Sequence, residues 1–388
     1  RKPTVRMWQW FIPPVLAALM ALNFQVYRPL NRPQENAVYV IGDLHGDVHC
    51  AKYWVGKTGL VAEDGKWVDD SSKLIFLGDY IDKGPTSRQT IEYVKSLTDQ
   101  FPEVVSAIIG NHELELLRDR DAVGNEWRWG GAGFFQLAYA SVHPGEYLNF
   151  IDDIDSNDEL VVEALYNASL EVYSYGKHGN VMLSPDKGGI SILEFVTPEL
   201  RALVKDRMGT YQKSYLDSFR SGTELGNWLE RRPILAQVNN TLFVHGGISP
   251  DATQYLTKIG IDGINKLFAS NANEDNLSDF LDRTGEGRAI YDMVTYRGNH
   301  ESSSCPHLSK LLPDGISRLG VGHTPDYHVR LLCDGNFLAL DSSLGRWYRN
   351  SGNEYCPGDK VQTSKNGRYT CKKMKDKCEG QIIRIKNG

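Results

Sequence analysis

Five apolar runs in this chain stop at a glycine and a neighbouring residue able to bind a metal, in one order or the other. Ala37–Ile41 runs into Gly42-Asp43-Leu44-His45-Gly46, and Lys73–Leu77 into Gly78-Asp79, with Asp82-Lys83-Gly84 just beyond. Val104–Ile109 ends at Gly110-Asn111-His112-Glu113, Thr241–Val244 at His245-Gly246-Gly247, and Arg318–Val321 at Gly322-His323-Thr324. Short runs rich in β-branched and apolar residues are strand signals. Helical candidates separate the first three, at Val48–Thr58 and Thr86–Thr98. Strands alternating with helices predict an α/β layered core. In open α/β sheets, function gathers at the carboxyl ends of the strands. A lone Gly-Asp or Gly-His is a turn in most chains. Recurrence at successive strand ends turns these residues into a candidate site.

From about residue 120 to 230 the pattern changes. Helical periodicity is readable over Glu159–Tyr175, Pro198–Phe219 and Glu224–Arg231, and Trp127, Trp129, Phe134, Phe135 and Tyr139 crowd one stretch. This predicts a mostly helical insertion over the core. Strands then return. Ile234–Val238 and Thr241–Val244 flank Asn239-Asn240, a pair suited to the positive φ of a hairpin turn. Val329–Cys333 and Asn336–Leu340 flank Asp334-Gly335 in the same way, and the second strand ends at Asp341. No internal repeat is visible.

Composition narrows the class. Of 388 residues, 41% are hydrophobic and 24% charged. Such values are ordinary for a soluble globular protein, and exclude disorder, collagen and a polytopic membrane protein as the main architecture. The formal charge of −6 gives no basic footprint for nucleic acid. The N-terminus departs from this average. Arg1, Lys2 and Arg6 precede the apolar stretch Phe11–Leu22, the order of a secretory signal. Taken whole, Trp8–Tyr27 approaches the roughly 20 residues that span a bilayer. Residues 1–30 are therefore expected to be a signal or membrane anchor, which places the chain in the secretory pathway, an endomembrane or an organelle lumen. Glycosylation sequons at Asn167, Asn239 and Asn276 agree with export. Cys50 stands alone early and reads as a buried small hydrophobe. Cys305, Cys333, Cys356, Cys371 and Cys378 fall in the last quarter. Cys356, Cys371 and Cys378 lack C-x-x-C spacing and a nearby His, so a disulfide-stapled tail is expected rather than a zinc site. The pairing itself is not legible from sequence.

The strand ends carry the chemistry. Carboxylate, imidazole and carboxamide together make a donor set for Mn, Fe or Zn. A glycine beside each lets the backbone turn sharply and approach a metal without a Cβ. Taken together, G-D-x-H-G, G-D-x-x-D-K-G, G-N-H-E, H-G-G and the late G-H resemble the motifs of the PPP-type phosphoprotein phosphatases and the wider calcineurin-like metallophosphoesterases, over residues 36 to 345. The insertion, the segment Met293–Gly298 and the ending Leu340-Asp341-Ser342 are similar to the bacterial-like branch, especially the Shewanella-like protein phosphatases. The resemblance implies a metallophosphoesterase fold, with two packed mixed β-sheets flanked by helices. It implies a catalytic domain over 36–345 that carries the insertion, followed by a Cys-containing tail over 346–388.

It also implies roles. Asp43 and His45 would hold a first metal ion, Asp79 would bridge to a second, and Asn111, His245 and His323 would complete the second. Two such ions, about 3.5–4 Å apart, share a water that attacks phosphorus in line. His112 would serve the leaving oxygen as general acid, oriented by Asp82. Lys83 stands where the family usually has arginine, and offers phosphate a point charge rather than a fork. Arg297 is the candidate second phosphate clamp, and Asn111 also faces the phosphate. The expected function is a metal-dependent phosphoprotein phosphatase acting on Ser/Thr or Tyr phosphomonoesters of a protein or peptide. Hydrolysis of nucleotides or dinucleoside polyphosphates is the alternative enzyme reading. A pseudophosphatase that binds a partner is the non-enzymatic one, disfavoured because every ligand position, His112 and Asp82 are intact.

Overall fold

Every run that the motifs terminate forms a strand. The computed structural model describes residues 24–26, 36–120, 142–176, 192–273, 276–351, 360–365, 368–374 and 376–386. In chain order the strands are β1 (Phe24–Val26), β2 (Ala37–Ile41), β3 (Lys73–Phe76), β4 (Val105–Ala107), β5 (Leu235–Val238), β6 (Thr241–Val244), β7 (Arg318–Val321), β8 (Arg330–Leu332), β9 (Phe337–Ala339), β10 (Lys360–Lys365), β11 (Arg368–Lys373) and β12 (Ile383–Lys386). β2, β3 and β4 pair in parallel, with Tyr39 opposite Leu74 and Leu74 opposite Val105. β12 pairs antiparallel with both β2 and β1, giving the order β1-β12-β2-β3-β4. In the second sheet, ordered β5-β6-β7-β9-β8, the central β6, β7 and β9 are parallel and the outer β5 and β8 antiparallel. β10 and β11 form a separate hairpin.

The two mixed sheets pack face to face. Val38, Val40, Ile75 and Leu77 meet Phe243, Leu338 and Leu340 between them. The alternate residues Tyr39, Ile41, Leu74 and Phe76 belong to a larger core that includes Trp54 and Val55 of the helix Val48–Thr58 and Ile91 and Val94 of the helix Ser87–Gln100. Strands buried on both faces read as continuous apolar runs rather than as alternation. The helix Val48–Thr58 is set locally: the Asp47 side chain accepts from Cys50 N at 3.2 Å, and Gly59 ends the helix at φ 70°. A left-handed C-terminal residue favours glycine because it has no Cβ to clash.

The insertion is helical where it is described, over Ser156–Gly176, Pro198–Asp217 and Glu224–Glu230. The aromatic stretch Trp127–Tyr139 and Cys356 lie outside the described residues. Three helices, Pro250–Asn271, Leu277–Arg283 and Gly285–Thr295, carry no expectation from the sequence. Gly260, at φ 72°, kinks the longest and interrupts its periodicity.

Two expectations, on the C-terminal segment and on Cys50, need correction. The segment 346–388, read as a tail beyond the core, supplies β12, which sits between β1 and β2. Ile383 and Ile385 face the space between the sheets, and β12 covers a sheet edge that would otherwise present unpaired backbone groups. Cys50 is buried but is no mere hydrophobe, because it is disulfide-bonded to Cys378. Cys305 pairs with Cys333. The expected signal or anchor falls mostly outside the described residues, but Phe24–Val26 lie within it and pair with β12. Among the described residues no helix is long and apolar enough to cross a membrane.

Candidate dinuclear metal site

Asp79 follows β3 with φ at 53°, and His45, Asp82, Lys83 and His323 also take positive φ. Such backbone costs about 1–3 kcal/mol per residue and persists only where the surroundings enforce it. Glu113 is one enforcer. Its buried carboxylate accepts from Gly110 N and Asp79 N at 2.9 Å each, from Tyr80 N at 2.7 Å and from Ile81 N at 3.2 Å. One side chain thereby ties the loop after β3 to the loop after β4. Close approach is enforced too. A Cβ on Gly110 would collide with the Asp79 carboxylate, and one on Gly322 would lie 2.5 Å from Asp43 Oδ1.

Around Asp79 the ligand-type side chains fall into two buried groups. His45, Asp79 and His112 form one, and Asp79, His245 and His323 the other; in each, one candidate ligand atom per residue lies within 4.8 Å of the rest. His245 Nε2 is 3.2 Å from Asp79 Oδ2, and His45 Nε2 and His112 Nε2 are each 3.8 Å away. Asn111 joins the second group, with Oδ1 3.0 Å from His245 Nε2.

Backbone carbonyls orient three of the rings. His45 Nδ1 donates to Ile81 O at 3.3 Å, His245 Nδ1 to Leu77 O at 2.6 Å, and His323 Nε2 to Thr295 O at 3.0 Å. Metal-binding histidines characteristically donate their outer N–H in this way, which leaves the inner nitrogen for the ion. Burial, then the neighbouring His112, pushes His45 down to about 3. Burial, then His245, lowers His323 as well. Both rings are therefore neutral with lone pairs available. Burial alone would raise the Asp79 carboxyl, but His245, then His112, hold it well below the ordinary carboxylate range. Imidazoles around an ionised carboxylate fit divalent ions of the Mn, Fe or Zn type.

Asp43 stands outside both groups. Its oxygens accept from His323 N at 3.3 and 3.1 Å, and its carboxyl hydrogen-bonds with Asp341. Burial, then repulsion from Asp341 and Asp79, raises Asp43; burial likewise raises Asp341. His112 differs from the other rings because its Nδ1 donates to a carboxylate, Asp82 Oδ2, at 2.6 Å.

The comparisons with known proteins agree with this geometry. The profile of the calcineurin-like phosphoesterase family matches residues 37–192. An uncharacterized protein of Schizosaccharomyces pombe is 23% identical over 79% of this chain and 73% of its own length. Shewanella-like protein phosphatase 1 of Plasmodium berghei is 23% identical over 82% of this chain and 69% of its own. The crystal structure of a cold-active protein-tyrosine phosphatase of a psychrophilic Shewanella covers 89% of this chain and 83% of that one, with a TM-score of 0.50 at 17% identity. This chain has the calcineurin-like metallophosphoesterase fold. It is a metal-dependent phosphoesterase, and its two clusters are consistent with a dinuclear site.

A cleft of about 320 Å³ opens over the phosphoesterase site. Lys83, Asn111, His112 and Arg297 line it, so the expected phosphate-facing residues are brought together with the ligand-type residues. Arg297 Nη1 donates to His323 O at 2.7 Å and to Thr324 Oγ1 at 3.1 Å, which holds the guanidinium beside the second group. Sequence reasoning gave no role to Glu113, Asp341 or Tyr348. Glu113 lies inside a recognised motif, and Asp341 follows a strand as the other ligand-type residues do. Tyr348, which also lines the cleft, has no local signal at all.

Proposed function

We propose that this chain is a phosphoprotein phosphatase that hydrolyses phosphomonoesters on Ser/Thr or Tyr side chains. One observation carries the reading: beside a dinuclear site, His112 is held at 2.6 Å by Asp82 and borders a cleft that also contains Lys83 and Arg297. In this reading Asp43, His45 and Asp79 would hold one ion, and Asp79, Asn111, His245 and His323 the other. Bound there, the ions would supply Lewis acidity and activation of water. The chain's own groups do the rest. Lys83 and Arg297 attract the phosphate dianion, and the Asn111 carboxamide helps to seat it. Protonated His112 presents Nε2–H to the departing oxygen, while Asp82 fixes the ring and stabilises its charge. The name of the Plasmodium berghei relative, a protein phosphatase, supports this substrate class. Two disulfides, and sequon asparagines exposed at Asn167, Asn239 and Asn276, support maturation in an oxidising lumen of the secretory pathway.

Manganese-loaded protein is expected to release phosphate from phosphopeptides and from p-nitrophenyl phosphate, with Asp79→Asn abolishing both. A phosphopeptide panel run beside diadenosine tetraphosphate separates the enzyme readings. Turnover of the dinucleotide alone would sink the phosphoprotein assignment. Bound metal without turnover of any substrate would leave only a binding role.

A further inference from the structure

One wall of the cleft comes from the C-terminal segment, outside the strand-end motifs. Tyr348 lies on the short helix Arg346–Ser351, and its ring centroid is 4.4 Å from that of His45, tilted by 53°. It lines the same cleft as Lys83, Asn111, His112 and Arg297. The residues next to it are fastened to the first motif. A Cβ on Gly345 would lie 2.5 Å from Leu44 O, so the two backbones touch. Arg346 forks onto buried Asp47, with Nε to Oδ2 at 2.7 Å and Nη2 to Oδ1 at 2.8 Å. Asp47 also caps the helix that carries Cys50, and Cys50 is bonded to Cys378. Arg346 Nη1 reaches back to Asp376 at 3.1 Å. Leu44, His45 and Asp47 are thus met in turn by Gly345, Tyr348 and Arg346. A buried bidentate pair and a covalent bridge fix the phenol with little freedom left to lose on binding.

We propose that Tyr348 is a substrate-positioning residue: its O–H donates to a phosphoryl oxygen, and its ring closes the His45 side of the cleft. The C-terminal segment then completes the phosphate site instead of trailing from it. A phenol is protonated at neutral pH and is a donor with one defined direction. Lining the same cleft as Lys83 and Arg297, it would supply a neutral contact that complements their charges. This assignment rests on the phosphatase reading.

The test uses full-length, disulfide-intact, manganese-loaded protein. Tyr348→Phe keeps the ring and removes the donor, whereas Tyr348→Ala removes both. The readouts are kcat and KM for p-nitrophenyl phosphate, the calorimetric Kd for inorganic phosphate, and the thermal midpoint. Tyr348→Phe is expected to weaken phosphate binding and raise KM about tenfold, the scale of a lost hydrogen bond to a charged group, with the midpoint unchanged. Arg346→Lys, which loosens the fork without touching the cleft, is expected to shift KM in the same direction by less. If Tyr348→Phe matches wild type in KM, kcat and phosphate affinity, the assignment is overturned while the phosphatase reading stands. Wild-type protein that neither binds phosphate nor turns over the ester overturns both.

Discussion

At the scale of single residues, the partner of one ring nitrogen sets His112 apart from the other three histidines of the site. His45, His245 and His323 each turn one nitrogen to a backbone carbonyl, whereas His112 turns its Nδ1 to a carboxylate. A carbonyl fixes a neutral tautomer, and a carboxylate also stabilises the imidazolium. His112→Asn is therefore expected to lower kcat on a phosphoserine peptide by about 10²–10⁴. The loss should be smaller on p-nitrophenyl phosphate, whose phenolate leaves without a proton. Equal losses on both substrates would mean that His112 does not protonate the leaving group. Spacing alone does not separate His112 from its neighbours, each a histidine after a strand; the resemblance of its motif does, and it named Asp82 as the partner. The ligand kinds were legible, because each sits beside a glycine at a strand end. Glu113 and Asp341 were not, because they act on amides and a carboxyl supplied by other loops.

At the scale of elements, the insertion braces the catalytic loop through one buried carboxylate. Glu146 accepts from Ser87 N at 2.7 Å and Arg88 N at 2.8 Å, which caps the helix Ser87–Gln100. Ser87 Oγ in turn accepts from Asp82 N at 2.9 Å, so the insertion, the helix and the partner of His112 are joined in series. Burial, opposed by those backbone bonds, pushes Glu146 up to about 8. The folded state then holds this proton more tightly than the unfolded chain, whose carboxyl titrates at about 4.3. Its contribution to stability is present at low pH and is lost as pH rises from there through about 8. Glu146→Gln does not titrate and keeps one oxygen to accept from one of the two amides. The thermal midpoint of wild type is expected to fall more than that of Glu146→Gln between pH 5 and pH 8, as read by scanning calorimetry at about those two values. Parallel curves for the two proteins would show that Glu146 does not titrate there. The strands and the insertion helices were legible because their patterns are local. The cap was not, since Glu146 lies far from Ser87 along the chain.

At the scale of the whole molecule, the chain is closed on itself. Cys50 and Cys378 are 328 residues apart in sequence, and β12 enters the sheet next to β2. Cross-linking so long a loop stabilises mainly by limiting the unfolded chain, by roughly 2–5 kcal/mol. The double substitution Cys50→Ser with Cys378→Ser is expected to lower unfolding stability by about that amount in urea titration. Activity should fall further than stability explains, because Arg346 and Tyr348 lose part of their anchoring. An unchanged urea midpoint would show that β12 and the Asp47–Arg346 pair hold the end without the bridge.

The sequence by itself determined the layered α/β core, the order of the strands that bear the site, and the chemical kinds of its ligands. Those features are local: a doubly buried strand must be apolar throughout, and a sharp turn at its end needs glycine beside the ligand. Only the tertiary structure decided which cysteines pair, that the presumed tail is a sheet strand, and that Glu113, Asp341 and Tyr348 belong to the site. Each of these depends on groups far apart in the chain meeting at ångström distances. Periodicity and motif spacing do not encode that proximity; packing of the two sheets and closure of the chain create it.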